Sequence, residues 1–414
     1  MAKKREAGGQ RWPAAPEPRR DPGAVAAVAI LGIVLVGTAL AVDTAAAAAF
    51  DAPKRLIALV GTGLAAAVAF AVRARASAPI RSWRLAPAPA RASLVLTACA
   101  LAGAFLAALA SPRRAVSLDA MRSVALLALL LPLGASRAVA RGRMWLAGAY
   151  AGNVGYLAIA LALASVLTLG ILVTAAAPAA RTAAGCAFCL FVGALLVNQN
   201  LTALTALAAG GATLLVLRLR KRAGLPLAAA FVAAALAVAV YAPLRHRAGA
   251  AVSEIRSGNW DGLLSFRGGP WAAALEMTRE RPLSGFGPGA FGAEYVPHRL
   301  SAEIRAHRRF VSPLLASSYA EAHSDYLQLA SDAGVPVALL AAAAAACLIA
   351  ATARVAWRRN DPEAALLLAM LVTGAAAALT WFPFQRPVTA VPLLLAAGRA
   401  WRIGASRDSA GAPV

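Results

Sequence analysis

Apolar runs of about 17–22 residues follow one another along most of this chain, broken by short arginine-rich connectors, and each run is long enough to cross a bilayer as a helix. That pattern constrains the fold more than any other feature. In hydrocarbon a backbone must satisfy its own hydrogen bonds, which leaves helices as the solution for runs of this kind. The composition agrees: of 414 residues, 60% are hydrophobic and 14% charged, whereas soluble domains carry roughly a quarter charged residues. The expected fold class is all-α, a polytopic integral membrane protein of about 12 transmembrane helices with one large outer loop containing short helices.

Spans are read at 23–42, 56–72, 93–111, 123–136, 144–160, 162–178, 182–198, 200–217, 225–244, 335–353, 362–381 and 387–402. Their orientation follows from charge. The connector 73–92 holds Arg73, Arg75, Arg81, Arg84 and Arg91 with no acid, and Arg218, Arg220, Lys221 and Arg222 cluster after the eighth span. Short loops rich in Lys and Arg stay in the cytoplasm. An odd number of crossings must therefore fill 144–198; three short ones fit, and one crossing plus a re-entrant pair also fits. Both termini fall inside. The chain divides into a basic cytoplasmic tail (1–22), an N-terminal set of spans (23–244), a large periplasmic loop (245–334), a C-terminal set (335–402) and a cytoplasmic tail (403–414).

A net charge of +23 raises the question of nucleic acid. The charge lies in the N-terminal tail and beside apolar runs, as topology determinants do, and no recognisable binding fold accompanies it. A carrier is disfavoured by the absence of internal repeats and of acids within spans: between residues 56 and 244 the only acid is Asp119, in a connector. The four cysteines all lie in expected spans. Cys186-Ala-Phe-Cys189 has metal or redox spacing but lacks a second ligand pair, so it is read as packing, with no metal site and no cofactor.

The loop 245–334 differs from every cytoplasmic connector: it holds ten arginines and nine acids. It carries Arg267-Gly-Gly-Pro-Trp271, Arg281-Pro-Leu-Ser-Gly-Phe-Gly-Pro-Gly289, Ala322-His-Ser-Asp-Tyr-Leu-Gln-Leu329 and Gly334-Val-Pro336. Arginine offers phosphate a permanently charged fork of donors. Histidine exchanges protons near neutral pH. The glycines permit tight turning and close backbone approach. Together they suit a phosphate-bearing polar substrate at the outer membrane surface.

The order of these motifs resembles the O-antigen ligase and polymerase superfamily, over residues 267–340. The resemblance implies a bacterial inner-membrane glycosyltransferase, metal-independent and inverting. It would move a glycan from an undecaprenyl-pyrophosphate carrier to lipid A-core, to another glycan or to protein. Arg267 matches the family arginine that grips the pyrophosphate; the alternative is a loop arginine paired with Glu254 or Asp261. His323 matches the family histidine, as general base toward the acceptor hydroxyl or as orienter of the donor phosphate; the alternative is a cap on the helix beginning near Ser324. The spacing of His323, Tyr326, Leu327 and Ala330 would put them on one helical face.

Arg279, Arg281, Asn198, Asn200 and Tyr326 are the candidate substrate contacts, with a solvated face favoured for Arg279 and Arg281. The turn Val197-Asn-Gln-Asn-Leu-Thr202 lacks the arginine that many family members carry there. His298 and His307 are read as surface or acceptor contacts. A glycan polymerase is the nearest alternative; a polysaccharide transporter or a non-catalytic envelope subunit are alternatives of another class. The bilayer, a lipid-linked donor and a lipid or glycan acceptor are the expected partners, without nucleic acid.

Overall fold

The computed structural model describes residues 29–30, 33, 60–65, 67, 87–131, 154–258, 267–307, 310 and 319–405. Among these residues every regular element is helical. The helices are α1 (Ala88–Ala110), α2 (Arg114–Ala128), α3 (Val154–Thr174), α4 (Pro178–Asn198), α5 (Leu201–Leu219), α6 (Gly224–Val240) and α7 (Ala242–Ser257). Then come α8 (Gly268–Glu280), α9 (Phe291–Ala306), α10 (Asp325–Ala333), α11 (Val335–Arg358), α12 (Pro362–Ala378) and α13 (Pro387–Ala405).

Five helices among the described residues are long and apolar enough to cross a membrane: α1, Tyr156–Thr174 of α3, α4, α5 and α11. Helix α12 is shorter and apolar on every side, which marks an element surrounded by protein rather than one with a wet face. Its residues Ala364 to Leu371 are all buried, against Val166 and Leu167 of α3, Leu214 of α5, Val355 of α11 and Ala400 of α13. Small residues let these helices close up: a Cβ on Gly210 of α5 would strike the Ala369 carbonyl and the Thr373 hydroxyl of α12. Span hydroxyls return to their own helix, as Ser165 does to Leu161 O at 2.7 Å and Thr373 to Ala369 O at 2.8 Å, which satisfies these donors away from water.

Two sets of contacts define the ends of the bundle. At one end Arg218 donates to Asn360 O (2.8 Å), Arg220 to Trp357 O (2.7 Å), and Arg399 to both Glu363 oxygens (2.7 and 2.8 Å). At the other Thr202 meets Thr380 at 2.8 Å, and Tyr156 packs edge-on to Trp381 and Phe382. Helices α3, α5, α11 and α13 therefore run from the second end to the first, and α4, α6 and α12 return.

The observed boundaries correct several expectations. A break near 161 does not exist: α3 continues through it to Thr174, because the alanine and leucine run there contains neither Gly–Pro punctuation nor a charge. Most of the expected spans at 23–42 and 56–72, residues 132–136 of the fourth and residues 144–153 of the fifth lie outside the described residues. The connector around Asp119 is helix: α2 starts at Arg114, with Ser117 and Met121 buried and Asp119 paired to Arg122 at 3.7 Å on the exposed side. Cys186 and Cys189 are exposed on α4 rather than packed inside.

Candidate active site

The loop between α6 and α11 builds its own small core. Helix α8 buries Pro270, Ala273, Ala274 and Met277, and α9 buries Phe291, Tyr295, His298 and Ala302, each set at the one-face spacing of a helix. They close on Phe286, Ala290 and Ala322. His298 is a structural part of this core, not surface: its Nδ1 lies 2.7 Å from Glu294 O, its Nε2 3.1 Å from Glu280, and its ring stands edge-on to Phe286. His307 closes α9 in a left-handed conformation at φ 49.

The glycine run proves to be an anchor. Gly285, Gly287 and Gly289 all have positive φ. A Cβ on Gly285 would hit the Asp332 backbone, and one on Gly287 would hit Ser111 and Ser117. Phe286 N donates to Ser331 O at 3.0 Å, Gly287 N to Asp332 O at 2.7 Å and Gly289 N to the Asp332 carboxylate at 3.0 Å. The close approach expected of a phosphate cradle is taken by protein, from α2 and the end of α10.

His323 lies just outside α10. Ser324 is the N-cap, in extended conformation with its hydroxyl facing Leu327 N, so His323 precedes the helix and shares no helical face with Tyr326. The Tyr326 hydroxyl instead donates to Ala375 O of α12 at 3.1 Å. His323 stands at φ 55, a left-handed geometry that costs a residue with a Cβ roughly 1–3 kcal/mol. Its ring is walled edge-on by Tyr319, Trp381 and Phe382, with centroids 5.3, 5.4 and 5.1 Å away. Nδ1 lies 3.1 Å from Glu321 O. A carbonyl only accepts, so Nδ1 carries the proton and the lone pair is on Nε2. Burial, with the charges of Arg267 and Arg386 adding to it against the Glu321 contact, pushes the imidazole down to about 4. At neutral pH it is uncharged.

Arg267 is the residue before α8, and Trp271 sits one turn further on, its indole 3.4 Å from His323 O. The Arg267 guanidinium lies over Trp381 at 5.4 Å. It has no ion pair with Glu254 or any other carboxylate among the described residues; Asp261 lies outside them. Burial, helped by the charge of Arg247, lowers its pKa. Burying a cation without a counter-ion is costly, and an anion at this position would offset that cost.

Sequence reasoning missed the turn between α12 and α13. Trp381 and Phe382 are stacked there at 4.9 Å, and Arg386 is buried, its guanidinium over Tyr156 (4.6 Å) and Phe382 (5.0 Å) and paired with Glu321. Asp325 ties this turn to α10, accepting from Phe384 N at 3.0 Å and Gln385 Nε2 at 2.8 Å. The available signal was an arginine in a short outer turn, against the charge bias of such turns.

Other candidates lie apart. Arg279 pairs with Glu276 at 3.4 Å and Arg281 stacks on Phe286 at 4.8 Å; Arg279 is roughly 18 Å along α8 from Arg267. Asn200 caps α5 through Ala203 N at 3.0 Å, beside the Thr202–Thr380 contact, and Asn198 ends α4 in the same turn. The carboxylates near the motifs are separately engaged, Glu294 by Arg113 at 2.6 Å, Glu321 by Arg386 and Asp325 by the 384–385 turn. Among the described residues no group of three metal-ligating side chains occurs.

The bundle and its loop define an all-α integral membrane protein whose polar chemistry is gathered at one end of the helices. Residues 186–342 match the family model described as O-antigen ligase. Over that segment the chain is similar to the O-antigen ligase family, whose members are ligases and polymerases acting on lipid-linked glycans. No curated protein matches the chain.

Proposed function

We propose that the protein is an O-antigen ligase-type glycosyltransferase of the bacterial inner membrane, working at its periplasmic face. It takes a glycan from an undecaprenyl-pyrophosphate carrier and passes it to lipid A-core or another hydroxyl-bearing acceptor. The observation that carries this reading is a neutral His323, its Nδ1–H held by Glu321 O and its Nε2 lone pair free, beside the unpaired Arg267.

Nε2 accepts the proton of the acceptor hydroxyl as its oxygen attacks the anomeric carbon. The bond from that carbon to the pyrophosphate oxygen breaks, and Arg267 stabilises the negative charge that builds on the leaving group. Attack opposite the leaving group inverts the anomeric centre. The aromatic walls exclude water from the imidazole and so favour transfer over hydrolysis.

The test is transfer by the purified full chain in lipid, from an undecaprenyl-pyrophosphate oligosaccharide to candidate acceptors. His323→Ala should abolish turnover with donor binding intact. Arg267→Ala should lower kcat/KM about 100-fold or more, the scale for losing one charge-stabilising donor. Product analysis separates ligation from polymerisation. Wild-type turnover in both variants would refute the site.

A further inference from the structure

The residues that surround His323 come from two parts of the chain. Glu321 and His323 belong to the matched segment, which ends at residue 342. Arg386 lies beyond it, in the turn after α12. Buried arginines are rare unless paired, and this one is held on two faces by Tyr156 and Phe382 and at its end by the Glu321 carboxylate. Glu321 in turn offers its main-chain carbonyl to His323 Nδ1. The chain of contacts therefore runs from a helix–helix turn, through one carboxylate and its own backbone, to the imidazole. Only one ring nitrogen is engaged, and that choice decides which nitrogen keeps the lone pair.

We propose that Arg386 is a positioning residue for His323: by holding Glu321 it fixes the Nδ1–H tautomer and aims Nε2 at the acceptor. The inference rests on the transferase reading for its catalytic consequence, but its structural half stands without it. Asp325 serves the same end from below. By accepting from Phe384 and Gln385 it keeps the turn, and so Arg386, in register with α10. The charged and titratable groups facing the imidazole are Arg267 from the start of α8, Tyr319 and Glu321 from the strap before α10, and Arg386 from the turn. The two arginines both oppose its protonation, and each stands on a different element.

The experiment uses the full chain in lipid with 15N-labelled histidine. The protein has four histidines, and His323→Gln identifies the signal of His323 by its loss. In wild type that signal should report a proton on Nδ1 and a titration midpoint well below 6.5, the ordinary histidine value. In Arg386→Gln the tautomer preference should relax and the midpoint rise. Arg386→Lys keeps the charge and should restore the midpoint in large part. Glu321→Gln should weaken the tautomer preference while Arg386 is still present, and it gives an independent answer if Arg386→Gln does not fold.

Kinetically, Arg386→Gln should lower kcat about 10- to 100-fold, with the donor KM within about twofold, as expected of a group that acts through the base rather than on the substrate. An unchanged tautomer and midpoint in both Arg386→Gln and Glu321→Gln would overturn the proposal. So would a rise in donor KM with kcat untouched, which would make Arg386 a donor contact. If wild type shows no transfer while the NMR results hold, the transferase reading fails and the positioning role of Arg386 survives.

Discussion

His323 combines a left-handed backbone with a buried imidazole between two guanidiniums, and both are unfavourable unless the surroundings enforce them. The consequence is a shifted titration. Its pKa falls from 6.5 to about 4, chiefly through burial, so the neutral base persists well into the acid range. Transfer rates should stay level from pH 8 to about pH 5 and decline with a midpoint near 4, instead of halving near 6.5 as an unperturbed histidine would require. A pH profile of kcat checks this, and a midpoint near 6.5 would contradict the buried geometry. The same shift bears on stability. Between the two pKa values the unfolded chain holds the proton and the folded chain does not. The His323 contribution is therefore whole above pH 6.5 and is lost as the pH falls toward 4. At this scale the sequence was readable in part. His323 and Arg267 stood in recognisable spacings, and the structure brings both to the ring of Trp381. Arg386 was not readable, because the short stretch between two apolar helices shows a turn and does not show what the turn packs on.

Among the elements, the Gly285–Gly289 run and α10 act as one unit. The sequence revealed that something approaches this backbone closely, since only glycine tolerates positive φ at so many neighbouring sites. It could not reveal whether that something is a ligand or another part of the chain. Here it is Ser111 and Ser117 on one side and Asp332 on the other. Gly287→Ala places a Cβ against both serines at φ 104, and it should destabilise the protein by about 1–3 kcal/mol, read as a lower unfolding temperature in detergent. An unchanged unfolding temperature would mean that the loop does not dock on α2. Burial raises Asp332 from 3.8 to about 7, against the opposing bond from Gly289 N. For an acid raised in the folded state, the folded chain holds the extra proton between those values. Its contribution is full below pH 3.8 and is lost as the pH rises through 7. Asp332→Asn cannot ionise, so its unfolding temperature relative to wild type should rise between pH 5 and 8. Asp325, raised likewise to about 7 by burial, should leave about half of the wild-type slope in that variant.

At the scale of the whole molecule, the question is which end of the bundle faces outward. The contacts alone give an alternating path: α3 and α5 descend from the end that carries Tyr156 and Trp381, and α4 and α6 climb back to it. The end away from the site gathers Arg218, Arg220, Arg222, Arg358, Arg359 and Arg402, with Glu363 and Asp361 nearby. Lys- and Arg-rich short loops remain in the cytoplasm, and on that rule we propose that the site end is exterior. The absent boundary at 161 leaves that proposed direction unchanged from residue 162 onward, because it depends on where arginines fall and not on where one helix stops. The prediction follows directly. In a cysteine-free background, Ser257→Cys at the end of α7 should react with a membrane-impermeant maleimide from the periplasmic side of spheroplasts. Arg222→Cys, in the turn after α5, should react only after the membrane is opened. Both positions are exposed, so a failure to label after opening would reflect the probe's access and not burial by the fold. Labelling of both from the same side would break the antiparallel path through α6, and reversed labelling would put His323 on the cytoplasmic face, where a glycan already moved outward on its carrier could not reach it.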